Sequence, residues 1–156
     1  MVGEPVLSRL LPSEAISTGV AAADWRAAVR AAGDLLVATG ATTADYTSRM
    51  RQVVETHGPY IVVSPGLALA HAAPGRSVLR TGLSWVSLSS PVPFGHPGND
   101  PVGLVVGLAG ADRDDHCAAL AAVTALLASP DRLAALSRIE DPDRVHSLIS
   151  AFEVWA

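Results

Sequence analysis

Between Pro101 and Ala111 the chain reads Pro-Val-Gly-Leu-Val-Val-Gly-Leu-Ala-Gly-Ala, without one charged or hydrogen-bonding side chain. A strand with one face in water alternates apolar and polar residues; Val102–Ala109 is apolar at nearly every position and must be a central strand covered on both faces. This stretch and Cys117–Ala128 are the longest apolar runs, and both fall short of the roughly 20 residues that cross a bilayer. A doubly covered strand demands helical layers on each side of a sheet, and the pattern of the remaining sequence provides them.

Two helices precede the sheet. From Asp24 the side chains of Trp25, Val29, Ala32, Leu35, Leu36 and Thr39 share one stripe, with Gly40 as the stop. A second helix starts near Thr42 or Thr43, carries Tyr46, Met50, Val53 and Val54 on its apolar side, and ends at His57-Gly58-Pro59. The texture then turns β-branched. Tyr60–Val63 reads as a short strand closed by Ser64-Pro65-Gly66, and Leu67–Ala70 as a second that leads into His71. Leu79–Leu88 alternates as a strand, while Pro91 and Pro93 mark an edge or a turn because proline has no N–H for a ladder. Three helices close the chain: one capped by Asp112 or Asp114 and running to about Ala128, a short one opened by Asp131, and a last one begun by Asp141-Pro142. Residues 1–23 read as an irregular lead-in with a short helix near Ser13–Ser17, and residues 24–156 as a single domain. The expected architecture is α/β, a mixed β-sheet flanked by helices on both faces.

Composition removes several functional classes. Nearly half the residues are apolar and 27 are Ala, far from a disordered chain. There are 11 Arg, no Lys and 15 acidic residues, for a net charge of −4, which argues against nucleic acid or an anionic membrane as the main partner. A lone cysteine, Cys117, excludes an internal disulfide framework and a Cys-based zinc cluster; its Ala-rich surroundings predict a buried structural thiol. No basic segment followed by an apolar one opens the chain, so no signal peptide is expected and a soluble cytoplasmic protein is. The Ala-rich apolar helices are compatible with a homodimer.

Without lysine there is no phosphate loop ending in Gly-Lys-Ser/Thr, and Gly103, Gly107 and Gly110 lack dinucleotide spacing. Gly-x-Ser-x-Gly and His-Glu-x-x-His are also absent. Chemistry therefore rests on five histidines. His57 and His146 read as surface or packing residues, and His96 as a solvated residue of the turn-rich Phe94–Asp100 segment. His71, at the end of an extended segment and among small neighbours, is both accessible and oriented, as a nucleophile must be. His116 opens a helix, where the positive end of the dipole favours a neutral imidazole and free N–H groups in the Asp114–Ala118 turn can receive an anion. A metal site built from His71, His96, His116 and Asp112–Asp115 is disfavoured because no local pair has ligand spacing.

The run Gly58-Pro59-Tyr60-Ile61-Val62-Val63-Ser64-Pro65-Gly66-Leu67-Ala68-Leu69-Ala70-His71-Ala72 resembles the active-site region of enzyme IIA domains of the bacterial phosphoenolpyruvate:sugar phosphotransferase system. The likeness is to the mannitol/fructose superfamily, and within it to the ascorbate/galactitol-like branch. It continues in Val78–Leu83, in Phe94-Gly95-His96 through Val102, and in Asp115-His116, covering roughly Leu35 to the C-terminus. The resemblance implies a mixed sheet flanked by helices, with His71 phosphorylated by the phosphocarrier protein HPr. The phosphoryl group would pass to a cysteine of enzyme IIB, which serves a membrane enzyme IIC. It also implies that His116 is the second active-site histidine and that no metal or organic cofactor takes part. Two positions depart from the family pattern: Ala70 replaces a proline and Ala73 replaces an arginine. Arg76 and Arg80 are the candidates to stabilise phosphate in place of that arginine, and a regulatory or binding module with weakened phosphotransfer is the alternative function.

Overall fold

The computed structural model describes residues 7–155. Five strands form one mixed sheet: β1 (Ile16–Val20), β2 (Val62–Ser64), β3 (Leu67–His71), β4 (Gly82–Val92) and β5 (Val102–Ala109). Their spatial order is β1-β4-β5-β3-β2. β5 runs parallel to β3 and antiparallel to β4, so the all-apolar strand lies at the centre, as its sequence requires. β1 pairs parallel with β4 and β2 antiparallel with β3, making these two the edges.

Among the described residues six α-helices flank the sheet: α1 (Leu7–Leu10), α2 (Trp25–Ala38), α3 (Ala44–His57), α4 (Arg113–Leu126), α5 (Pro130–Ser137) and α6 (Pro142–Trp155). The two-residue period of the strands sorts their side chains into two cores. Ala68, Ala70, Ala72, Val105 and Ala109 face Ala28, Val29, Ala32, Leu36, Tyr46 and Met50 of α2 and α3. Leu67, Leu69, Leu83, Trp85, Leu104, Val106 and Leu108 face Ala119, Val123 and Leu126 of α4 and Val145 and Ile149 of α6. His71 is the next residue on the second of these faces, so strand geometry alone aims it toward the α4 layer.

Local signals set the helix ends. Asp24 caps α2 by accepting the Ala27 N–H at 2.9 Å. Gly58 ends α3 at φ 87°, a conformation that costs an L side chain energy and glycine nothing.

Several expectations shift. The strand expected over Tyr60–Val63 is Val62–Ser64, and α5 is capped by Ser129, not opened by Asp131, because the Ser129 hydroxyl accepts the Arg132 N–H. The irregular lead-in is ordered from Leu7 onward: Ser13–Ala15 is a single 3-10 turn and Ile16–Val20 is an edge strand, while residues 1–6 lie outside the described residues. β1 hides because its sequence, Ile-Ser-Thr-Gly-Val, follows no clean alternation; it is held by pairing with β4, not by propensity. β4 starts three residues later than Leu79 and runs through Pro91. Its register with β5 breaks between Ser87 and Val92, and proline is tolerated at such a discontinuity. α4 ends at Leu126, not Ala128. Finally, Cys117 is exposed. It sits two positions before the buried Ala119, on the opposite side of α4, so helical phase overrides the apolar character of its neighbours.

Candidate functional site

β3 and β5 run parallel and both terminate at one end of the sheet, where His71 pairs with Leu108. The Nδ1 of His71 lies 2.7 Å from the Leu69 carbonyl. A carbonyl can only accept, so Nδ1 carries the proton and Nε2 keeps its lone pair. The imidazole is partly buried and stands between two other rings. His116, in the first turn of α4, approaches with ring centroids 5.5 Å apart, and Tyr60, just ahead of β2, meets it edge-on at 5.9 Å and 86°.

The turn between β5 and α4 decides where His116 stands. A Cβ placed on Gly110 would lie 2.5 Å from the Cβ of His116 and 2.6 Å from its Cα, so only glycine lets the helix start this close to the strand. Asp112 caps α4 by accepting the Asp115 N–H at 2.8 Å. Asp115 in turn accepts the Thr81 hydroxyl, and Thr81 accepts the Ala111 N–H, tying the turn to the start of β4. Burial holds the His116 pKa below the ordinary histidine value, and the neighbouring His71 adds to the effect. His116 is therefore neutral where an ordinary histidine begins to protonate. Its Nδ1 is buried without a hydrogen-bond partner, leaving Nε2 as the nitrogen able to meet a ligand.

α3 fixes the chain on the far side of His71. The buried Tyr46 hydroxyl donates to the Leu108 carbonyl at 2.6 Å and accepts the Ala72 N–H at 3.0 Å, joining the ends of β5 and β3. Burial, the largest influence, pushes its pKa up to about 12. Arg49, three residues along the same helix, donates to the Ala73 carbonyl at 3.1 Å and to the Ser77 hydroxyl at 2.9 Å. Beside it opens a cavity of about 210 Å³ lined by Arg49, Gln52, Thr56, His57, Ala72 and Ala73.

The structure thus brings His71 and His116 together and distributes the other sequence candidates elsewhere. Arg80 is exposed, and its guanidinium donates to the Thr39 carbonyl at the C-terminus of α2. Arg76 is exposed on the segment after β3. The backbone of α4 is used internally at two of the positions expected to receive an anion, because Asp112 takes the N–H groups of both Asp115 and His116. His96 lies at the opposite end of the sheet, between β4 and β5, where its Nδ1 accepts the N–H groups of Gly98 and Asn99. His57 is exposed at the end of α3, and His146 donates from Nε2 to the Ser8 carbonyl at 2.9 Å.

Tyr60, Tyr46, Arg49 and Gly110 are the site residues that residue-by-residue reading missed. Tyr46 appeared only as one member of an apolar stripe, and Gly110 only as a glycine with the wrong spacing for a nucleotide. No sequence signal pointed to Arg49, whose role depends on a contact across 24 residues.

Comparison with known proteins places the chain in a family. The chain is 37% identical over 107 residues to the ascorbate-specific PTS system EIIA component of Escherichia coli, covering 69% of this chain and 70% of that protein. The mannitol-specific cryptic phosphotransferase enzyme IIA of Escherichia coli superposes with a TM-score of 0.82 at 32% identity, over 92% of this chain and 97% of that one. Enzyme IIA in a complex with phosphorylated enzyme IIB of the Escherichia coli mannitol system superposes with a TM-score of 0.80 at 25% identity, over 91% and 99%. The family model described as "Phosphoenolpyruvate-dependent sugar phosphotransferase system, EIIA 2" matches residues 9–152, and this chain belongs to that family.

Proposed function

We propose that this enzyme IIA component accepts a phosphoryl group from HPr on His71 Nε2 and delivers it to a cysteine of an enzyme IIB, on the cytoplasmic side of a membrane enzyme IIC. The observation that carries the reading is the 2.7 Å contact from His71 Nδ1 to the Leu69 carbonyl, which leaves the Nε2 lone pair free next to the ring of His116. Phosphoryl transfer asks little of a protein beyond alignment and stabilisation of charge on the equatorial oxygens. The Nε2 lone pair bonds to phosphorus while the donor nitrogen of HPr recovers its own pair. The neutral His116 then donates from Nε2 to a phosphoryl oxygen. Delivery reverses the first step, with a thiolate as acceptor. The structural likeness to an enzyme IIA in complex with phosphorylated enzyme IIB supports an enzyme IIB as the partner.

Incubation with phosphoenolpyruvate, enzyme I and HPr should label the parent protein, and His71→Ala should take up no label. Equal labelling of both proteins would remove His71 from the role. A regulatory module with weakened phosphotransfer is the second reading. It is favoured by Ala73, where the family pattern that the sequence resembles has arginine, and by the engagement of Arg80 at the Thr39 carbonyl and of Arg49 at the Ala73 carbonyl and the Ser77 hydroxyl. Labelling by HPr with no delivery to any enzyme IIB would select that reading.

A further inference from the structure

We infer that Tyr60 is a positioning residue for His71, a wall that locks the plane of the imidazole and shields its phosphorylated form from water; this rests on His71 being the phosphoryl acceptor. β2 runs antiparallel to β3 with Val62 opposite Ala68, so the chain two residues earlier comes alongside the end of β3, where His71 stands. There the Tyr60 ring meets the imidazole at 86° with centroids 5.9 Å apart, while His116 reaches the same imidazole from α4. One hydrogen bond, Nδ1 to Leu69, leaves the imidazole free to rock about the N–H···O axis; a perpendicular ring packed against it removes that freedom.

The ring of Tyr60, not its hydroxyl, makes the contact. Among the described residues the hydroxyl has no hydrogen-bond partner, and half of the side chain is exposed. An aromatic residue left 50% exposed contributes little core burial, so its packing against His71 is its most specific interaction. Partial burial of the ring at this edge raises the phenol pKa.

Phosphorylation makes such shielding consequential. With phosphorus on Nε2 and the proton retained on Nδ1, the imidazole is cationic and the phosphorus–nitrogen bond is open to water. Attack by a water oxygen at phosphorus returns the bonding pair to Nε2 and releases inorganic phosphate, wasting the group before enzyme IIB receives it. A fixed aromatic wall limits the approach of water without blocking a docked partner.

The test uses the full chain, phosphorylated by phosphoenolpyruvate, enzyme I and HPr, then freed of the donors while loss of label is followed. Tyr60→Ala should lose label on the order of fivefold faster than the parent, and Tyr60→Phe should stay within about twofold, with melting temperatures unchanged in both. A decay rate in Tyr60→Ala equal to the parent's would overturn the proposal. So would a Tyr60→Phe protein that decays as fast as Tyr60→Ala, since that would assign the effect to the hydroxyl. Nitrogen-15 NMR of the unphosphorylated proteins separates this from the underlying reading. The His71 Nδ1 proton should exchange with solvent faster in Tyr60→Ala than in the parent or Tyr60→Phe, whether or not any protein takes label. Unchanged exchange would sink the positioning role, whereas a parent that never labels would sink the phosphoryl reading and the shielding with it.

Discussion

Two histidines occupy the two ends of the same sheet, and they use their ring nitrogens in opposite senses. At the end formed by the C-termini of β3 and β5, His71 donates from Nδ1 to a carbonyl and leaves Nε2 with a free lone pair. At the other end, His96 accepts at Nδ1 from the Gly98 and Asn99 N–H groups, so its proton lies on Nε2. The His96 loop is tied within itself and to the β2–β3 hairpin: Asp100 accepts the N–H groups of Phe94, Gly95 and His96, and the Asn99 carbonyl accepts the Gly66 N–H. One ring is spent on holding a loop and the other is kept available by its strand. The identity of a residue says little about reactivity until the polarity of its hydrogen bond is known.

The sharpest way to break this contrast is to delete each ring. His96→Ala should label to the parent's extent, where His71→Ala takes none; a His96→Ala protein that folds yet fails to label would show that the two ends are not separable. Next in size is Gly110→Ala, whose added methyl must push His116 away from β5. Transfer from HPr should fall by about tenfold or more, measured as the initial labelling rate, because misplacing a catalytic group by an ångström can cost up to about a hundredfold. At the far end, Asp100→Ala strands three backbone N–H groups and should lower stability by about 2–3 kcal/mol in urea unfolding while labelling at His71 persists. Tyr46→Phe removes a buried hydroxyl that joins Ala72 to Leu108, for about 1–2 kcal/mol. Unlike Asp100→Ala, it should also slow labelling, since its contacts border His71.

The smallest effect is one of pH. The folded pKa of His116 lies below that of the unfolded chain, chiefly through burial and then through His71. Below the ordinary histidine value of about 6.5 the unfolded state binds a proton that the folded state refuses. The His116 contribution to stability is therefore complete above that pH and is lost as pH falls through the window beneath it. His116→Gln should flatten this part of the stability profile, read as melting temperature against pH, and a slope identical to the parent's would contradict the assignment.

Legibility from sequence divided along physical lines. Val102–Ala109 announced a central strand because every side chain had to be buried, and α2 and α3 announced themselves by period and by caps such as Asp24 and Gly58. β1 and the register break near Pro91 did not, since both depend on what the neighbouring strand offers. The exposed face of Cys117 was available in the helical phase of Ala119, Val123 and Leu126, but its apolar neighbours pointed the other way.

Sequence alone determined the layered α/β architecture and singled out His71 and His116, because periodicity, caps and a dense local motif are carried by residues close together along the chain. Only the tertiary structure decided which nitrogen of His71 is free, that Tyr60 and His116 close on it from the segment before β2 and from α4, and that Arg80 faces the end of α2. Those outcomes depend on atoms that meet across the sheet edge, and a linear order of side chains contains no such distances.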